Sequence, residues 1–154
     1  LRVLSPMAPS VYQRYLLAAV AEYARANVES GRWPKDEALK LSKDAFAKLL
    51  PRGLKTPNQH LFEIMDGAKA VGALWYTVNG KGKFRTAYIY DIIVYPEFRR
   101  QGHASRALKA LEAVARDAGI SSLDLHVFEF NRDAQTLYKK LGFRTTGMNM
   151  AKAI

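Results

Sequence analysis

Apolar and polar residues along this chain alternate with two different periods, and these periods predict its helices and strands. Apolar side chains recur every three or four positions from Pro9 to about Ser30 and again from Trp33 to Pro51, as on amphipathic helices. Leu61 to Met65 and Ala70 to Asn79 indicate paired strands, because Asp66-Gly67 between them is typical of a hairpin turn. The first half is therefore predicted to contain two helices and a strand pair.

The second half alternates strands with helices. Thr86 to Tyr95 predicts a strand, Ala104 to Ala118 a helix, Ser121 to Val127 a strand, and Asn131 to Leu141 a short helix. With an opening strand at Leu1 to Leu4 and a last strand after the final helix, the order is β-α-α-β-β-β-α-β-α-β. This order predicts a mixed sheet with helices on both faces.

Composition narrows the class of protein. A chain of 154 residues, 49% of them hydrophobic, is long enough for one domain over 1–154 with its own core. Zero cysteines exclude disulfides and thiolate catalysis, and with no apolar run of the ~20 residues that span a bilayer, a cytoplasmic location is expected. The formal charge of +10 favours anionic ligands, and it would also suit nucleic acid or acidic proteins.

The junction between the strand at Thr86 to Tyr95 and the helix after it carries the first chemical pattern, Arg99-x-x-Gly102-x-Ala104. The first N–H groups of a helix have no intrahelical partner and lie at the positive end of its dipole, so a basic turn that exposes them attracts phosphate. Gly102 lets the backbone approach a ligand closely, and Ala104 is small. The pattern predicts a diphosphate site, although an ordinary turn would also explain the glycine.

A second pattern, Asn131-x-x-Ala134-x-x-Leu137-Tyr138-x-x-Leu141-Gly142-Phe143, follows at a fixed distance. Together with Asp91 to Val94 and the basic turn, it resembles the acyl-CoA-binding core of the GCN5-related N-acetyltransferase (GNAT) superfamily. The resemblance implies an α/β fold with a mixed, mostly antiparallel central sheet. It also implies acetyl-CoA as co-substrate and no metal.

The resemblance implies where CoA would bind. In similar proteins the main chain at the end of this strand holds the pantetheine arm, the turn amides hold the pyrophosphate, and a residue at the position of Asn131 contacts the arm. The implied cofactor-binding residues are Ile92, Ile93, Val94, Arg99, Arg100, Gln101, Gly102, His103, Ala104, Ser105 and Asn131.

The resemblance also implies a general acid at Tyr138, whose reference pKa of ~10 lies above the ~8.5 of a thiol, so it can protonate the leaving thiolate. The base has three candidates. His126 lies where some similar N-terminal acetyltransferases carry a glutamate base, Asp91 is a carboxylate on an apolar strand, and Glu129 lies in a loop. Each has a structural alternative: core packing for Tyr138, a solvent-facing ring for His126 and a strand or loop hydrogen bond for Asp91.

Substrate choice is expected in the first half, because the two helices there cover the acceptor in similar enzymes. Tyr23, Asn27, Glu29 and Trp33 are the candidates to line that site, and helix packing or capping would equally explain each. Only a short segment, 144–154, follows Phe143, whereas similar proteins commonly finish with two strands. Either the last strand is absent, or a partner chain completes the sheet edge in a homodimer.

The residues and the resemblance together predict an N-acetyltransferase that transfers an acetyl group from acetyl-CoA directly to a primary amine. A GNAT-like domain that binds CoA without turnover, as a sensor or interaction module, is the first alternative. A basic nucleic-acid-binding domain is the second, and it is disfavoured because no concentrated basic stripe with interleaved aromatic residues is present. No membrane partner is expected.

Overall fold

The computed structural model describes residues 2–154, and its centre is a five-stranded sheet whose strands follow one another in chain order. The strands are β1 (Leu4–Pro6), β2 (Gln59–Asp66), β3 (Lys69–Asn79), β4 (Thr86–Val94) and β5 (Ser122–Leu125). The first four are antiparallel, and β5 runs parallel to β4. The predicted mixed, mostly antiparallel α/β fold is therefore confirmed.

Four helices cover the two faces of this sheet. They are α1 (Pro9–Glu29), α2 (Ala38–Leu49), α3 (His103–Asp117) and α4 (Arg132–Lys140). α1 and α2 pack on one face around Trp75, while α3 and α4 pack on the other around Leu74. Because successive strand side chains point to opposite faces, this adjacent pair supplies both cores. No helix in the described part of the chain is long and apolar enough to cross a bilayer.

The pairing of β3 with β4 contains a bulge at Tyr90. Trp75 lies opposite Asp91 and Tyr76 lies opposite Ile89, so Tyr90 has no partner on β3. A bulge lets two consecutive side chains share a face. The Tyr90 ring packs on Trp75 with ring centroids 4.6 Å apart, and the Asp91 carboxylate accepts a hydrogen bond from α1.

A gap opens between β4 and β5 beyond the bulge. The two strands pair from Thr86 opposite Ser122 to Ile89 opposite Leu125, and there β5 ends. β4 continues to Val94 with no strand on that side. The sequence pattern predicted that this strand would run to Val127. β5 ends at Leu125 instead, so His126 and Val127 lie outside it.

The strand predicted after the last helix is not found. Residues 143–154 form neither helix nor strand, and the side chains of Met148 and Met150 are 76% and 89% exposed. A strand needs a neighbour for its main-chain groups, and this segment lies beside none. The second helix begins at Ala38 rather than at Trp33, because the intervening residues form turns. Leu1, in the predicted opening strand, lies outside the described residues.

Candidate functional site

The edge of β4 that faces the gap carries free main-chain groups. The Tyr95 N–H donates to the Val71 carbonyl at 2.9 Å, and alternate residues of an antiparallel strand face the same neighbour. Asp91 and Ile93 therefore direct their main-chain groups to β3, whereas Ile92 and Val94 direct theirs into the gap. The Val94 carbonyl accepts a bond from Arg99 Nε at 3.0 Å. The Ile92 N–H also donates to the Asp91 carboxyl. The C=O of Ile92 and the N–H of Val94 remain for a ligand; we call the main-chain groups of Ile92 and Val94 the β4 edge.

Gly72 on β3 allows this edge to form. It lies opposite Val94, and a Cβ placed on it would stand 2.1 Å from the Ile93 carbonyl oxygen. Any side chain at Gly72 would therefore push β4 away from β3. The sequence pattern gave no reason to single out this glycine.

The turn between β4 and α3 has the conformation of an anion site. Arg100 and Gly102 both have positive φ, at 64° and 81°, and Gly102 is the residue before the helix. No side chain caps α3, and its first turn contains no acidic residue, so the N–H groups of residues 103–105 lack side-chain acceptors. A Cβ on Gly102 would meet nothing within 4 Å, so there is open space in front of these amides. Arg99 and Arg100 are exposed beside it.

Among the residues that the resemblance assigns to CoA binding, His103 has a buried side chain. The residue is 5% exposed and faces the core with Ala107 and Leu111. Its Nδ1 contacts the Arg106 guanidinium, and its Nε2 has no hydrogen-bond partner within the described chain. Only the main-chain N–H of His103 is free to meet a phosphate.

Asp91 lies on β4 beside the gap, and the pKa of its carboxyl is raised. Burial raises the pKa of its carboxyl to about 6, against the opposing effect of a hydrogen bond from the Tyr15 hydroxyl. That hydroxyl donates to Oδ2 at 2.6 Å. Burial and the neighbouring Asp91 charge raise the pKa of Tyr15 well above its usual value, so Tyr15 remains a donor. Asp91 is thus mostly ionised at neutral pH, yet it can accept a proton.

Tyr138 lies on α4, close enough to Asp91 for the charge of that carboxylate to affect its hydroxyl. Burial, and then the charge of Asp91, raise the pKa of its hydroxyl to about 12. The ring packs against Phe143 with centroids 5.7 Å apart, in the core that α3 and α4 share with the sheet. The hydroxyl therefore stays protonated at neutral pH, and it can act as a proton donor. Core packing and a chemical role are compatible for this side chain.

The other predicted residues of the site are more exposed. His126 is exposed and touches Phe128 edge to face at 4.8 Å, and Glu129 pairs with Arg132 at 2.5 Å. Asn131 precedes α4 as predicted, but its exposed side chain makes no capping hydrogen bond, so its amide is free. Among the three candidate bases, Asp91 is the one whose pKa is raised by burial and whose charge in turn raises the pKa of Tyr138.

A continuous chain of aromatic rings leads from Asp91 toward α1 and α2. Tyr88 and Trp75 both touch Tyr90, and Phe46 links Trp75 to Tyr23, with centroids 4.6–5.9 Å apart. Tyr23 touches Trp33 at 5.4 Å. We call the partly exposed rings of this chain the aromatic face; they are Tyr23, Trp33, Tyr88 and Tyr90.

The structure separates the residues predicted to line the acceptor site. Tyr23 and Trp33 belong to the aromatic face. Asn27 is 0% exposed and supports the loop after α1, and Glu29 pairs with Arg25. Tyr15, Tyr88 and Tyr90 were missed by sequence reasoning, since a tyrosine on an apolar stripe or strand does not by itself indicate a site. Among residues 2–154, no three His, Asp or Glu side chains come together as metal ligands would.

Comparison with known proteins identifies consistent relatives. The family model "Acetyltransferase (GNAT) family" matches residues 17–143. The uncharacterized N-acetyltransferase YycN of Bacillus subtilis is 39% identical over 153 residues, which are 99% of this chain and 98% of YycN. The crystal structure of YycN superimposes with a TM-score of 0.93, covering 98% of this chain and 97% of that one. A thialysine N-epsilon-acetyltransferase of Bos taurus is 44% identical over 78 residues, 50% of this chain and 46% of that protein.

Proposed function

Because the chain belongs to the GNAT family of acetyltransferases, we propose that it transfers the acetyl group of acetyl-CoA directly to a primary amine. The observation that carries the proposal is the position of the open β4 edge, between the free amides of the α3 N-terminus and the Asp91–Tyr138 pair. A donor lying along that edge would present its thioester to both groups.

The donor would be held mainly by main-chain groups. The amide-like pantetheine arm has the donors and acceptors to pair with Ile92 and Val94 as an added strand would. Its diphosphate would lie at the amides of residues 103–105, beside Arg99 and Arg100, where the helix dipole favours negative charge. The +10 charge of the chain favours the approach of this anion.

The transfer needs a base, an electrophile and an acid. A side-chain amine of pKa ~10.4 is neutral in roughly one molecule per thousand at pH ~7.4, so removal of its proton matters. We propose that Asp91 accepts this proton as the amine nitrogen bonds to the acetyl carbon. The C–S bond then breaks, Tyr138 gives its proton to the departing thiolate, and the second proton that the nitrogen loses on becoming an amide restores the Tyr138 hydroxyl by way of solvent. The Val94 N–H lies in the gap to stabilise the oxygen of the tetrahedral intermediate.

Asp91 is preferred over His126 and Glu129 for a physical reason. A base works best when its pKa lies near the working pH, and the pKa of Asp91 is raised to about 6 by burial. Its carboxyl accepts from the Tyr15 hydroxyl and from the Ile92 N–H, and because a carboxylate has about four lone-pair sites, acceptor capacity remains for the amine. Glu129 is paired with Arg132, and His126 is exposed with its ring against Phe128. The Bos taurus relative is named for an amine on a side chain, which supports a small amine-bearing acceptor.

Two measurements test this function. Saturating acetyl-CoA should raise the melting temperature by linkage, and an amine panel should release free CoA in proportion to acetylated product. Gly102→Asp should abolish the thermal shift, because it places bulk and negative charge before the α3 amides. Gly31→Asp is the matched control, because Gly31 has the same φ of 81° and the same open surroundings.

The outcomes separate the alternatives. A melting temperature that does not change with acetyl-CoA would contradict the proposed donor site. A thermal shift without CoA release from any amine would favour the alternative of a CoA-binding module that does not turn over.

A further inference from the structure

The outer edge of β5 is open. β5 pairs with β4 on one side, and no strand within residues 2–154 lies on its other side. The unpaired main-chain groups of such an edge accept a further strand unless proline, lysine or a covering element protects them. The strand at the opposite edge of the sheet, β1, contains Pro6, whereas β5 contains neither proline nor lysine. β5 is therefore the edge that is better suited to pairing.

The two rows of side chains on β5 differ in character. Leu123 and Leu125 are half-buried and pack against the core on the α3 side of the sheet. Ser122 and Asp124 point to the opposite face, where both are exposed and the Ser122 hydroxyl donates to Asp124 Oδ1 at 2.6 Å. A strand that fits beside β5 should therefore be apolar on one row and small or polar on the other.

Residues 144–154, which we call the tail, have this pattern of two rows. The apolar row consists of Met148, Met150 and Ile154, with Lys152 as its one polar position. The other row is small or polar and consists of Asn149, Ala151 and Ala153. This alternation has the period of a strand with one apolar face. Lysine suits the outermost strand of a sheet, which is the place that a strand added to β5 would take.

The tail has no partner in its own copy of the chain. Its residues are all exposed, and its main-chain groups make no hydrogen bond with any residue in the described part of the chain. The side chains of Met148 and Met150 are among the most exposed apolar groups of the molecule. Apolar side chains in such a row gain free energy when another surface covers them. A free edge and a free strand-forming segment with matching rows therefore occur together in one chain.

We propose that two copies of this chain form a dimer by exchanging tails, so that each tail pairs as an added strand with the β5 edge of the other copy. The methionine row of the tail then extends the leucine row of β5, and a single two-fold arrangement closes both open edges. Exchange of an identical element is favourable because the same contacts form twice. The inference does not depend on the proposed function, because the tail belongs neither to the β4 edge nor to the aromatic face.

The first test measures the mass of the protein in solution. Sedimentation of the wild-type chain over a wide range of concentration should show a dimer. Met148→Ser combined with Met150→Ser removes the apolar contacts without adding charge, and it should raise the dimer dissociation constant roughly a hundredfold or more. Ala151→Ser combined with Ala153→Ser is the matched control, because it places the same hydroxyls on the other row, and it should remain a dimer. Circular dichroism checks that each variant is folded.

The second test identifies which segments meet. The chain contains no cysteine, so single thiols can be introduced by substitution. An Asp124→Cys chain and an Asn149→Cys chain are co-expressed with different affinity tags, purified through both tags and treated with a short bis-maleimide. A cross-linked peptide that joins positions 124 and 149 can then come only from two different chains, and mass spectrometry should detect it. The two substitutions combined in one chain should give a covalent dimer on a denaturing gel.

Four results would contradict the inference. The first is a wild-type chain that stays monomeric at every concentration. The second is an equal loss of dimer in the methionine variant and in the alanine control, or no loss in either. The third is a dimer in which positions 124 and 149 of different chains are not cross-linked. The fourth is a link between these positions within a single chain, which would show that the tail folds back on its own β5.

Discussion

The β4 edge and the aromatic face lie on either side of Asp91, and they are built from different parts of the chain. The β4 edge uses main-chain groups of Ile92 and Val94, and the free amides of the first turn of α3 follow it in the same short stretch of chain. The aromatic face uses side chains of α1, the α1–α2 loop and β4. Main-chain groups are the same for every residue type, so the β4 edge depends on conformation, while the aromatic face depends on residue identity.

This difference predicts which changes each region tolerates. At the β4 edge, most side chains can change without loss provided that glycine stays where φ is positive or where strands come close. At the aromatic face, a single substitution alters the surface that we expect a substrate to meet. We expect donor binding to resist substitution and acceptor choice to respond to it.

The largest expected effect is at Tyr138, the proposed general acid, which belongs to neither region. Tyr138→Phe keeps the packing on Phe143 but removes the proton donor, so turnover should fall by roughly 10²–10⁴. Steady-state CoA release measures the loss, and the acetyl-CoA thermal shift should be preserved. Equal turnover in wild type and variant would leave Tyr138 with a packing role only.

The next effect concerns the base and should appear in the pH profile. If Asp91 accepts the proton, kcat/KM should fall as pH drops through about 6, a limb distinct from the ionisation of an acceptor amine near ~10.4. Asp91→Asn should lose this limb together with roughly 10² of the rate, while His126→Ala should keep both.

Tyr15→Phe is a control that should shift the acidic limb of the same pH profile without removing it. The Tyr15 hydrogen bond lowers the pKa of Asp91, so its removal should move the limb to higher pH. A limb that disappears in His126→Ala and persists in Asp91→Asn would assign the base to the imidazole instead.

A third expected effect is on the free energy of unfolding, which the ionised Asp91 carboxyl should lower. A carboxyl whose folded-state pKa is raised contributes stability at pH below its unfolded pKa of 3.8, and that contribution is lost as pH rises through about 6. Asp91→Asn should therefore be more stable than wild type at pH 8 by about 1–3 kcal/mol, with little difference at pH 4. Urea unfolding at the two pH values measures it, and an equal difference at both would mean that ionisation is not the cause.

The smallest expected effect tests whether the β4 edge depends on the close approach of β3 and β4 at Gly72. Gly72→Ala places a methyl group against the Ile93 carbonyl, so β4 must shift, and acetyl-CoA should bind roughly tenfold more weakly. Gly67→Ala is the control, because Gly67 has a positive φ of 62° in open space, and its replacement strains a turn without touching β4. If both variants bind acetyl-CoA like wild type, the edge does not depend on the approach of the two strands.

The same contrast explains how much the sequence could predict. The β4 edge lies in one continuous stretch, so Gly102, the following helix and the Asn131 to Phe143 pattern were sufficient to predict the fold, and the donor residues that they indicate stay a prediction. Two details needed coordinates. Ile93 faces β3 because of the strand register, and His103 turns its side chain into the core.

The aromatic face could be predicted only in part, because its residues are distant in sequence. Tyr23 and Trp33 followed from the position of the helices, but the contact of Tyr15 with Asp91 joins residues 76 positions apart. Nothing in a local pattern predicts such a pair. The predicted last strand was wrong for a related reason, since a strand depends on a neighbour that the segment itself does not specify.

The bulge at Tyr90 also constrains how this protein can be aligned and redesigned. It is one extra residue in β4, and the side-chain period of a strand is two. Deleting Tyr90 would remove the bulge, so that Asp91 follows Ile89 in the ordinary alternation and every side chain from Asp91 to Val94 keeps its present face. A homologue with one residue fewer at this point should therefore be aligned with its gap at Tyr90, which keeps its carboxylate in register with Asp91.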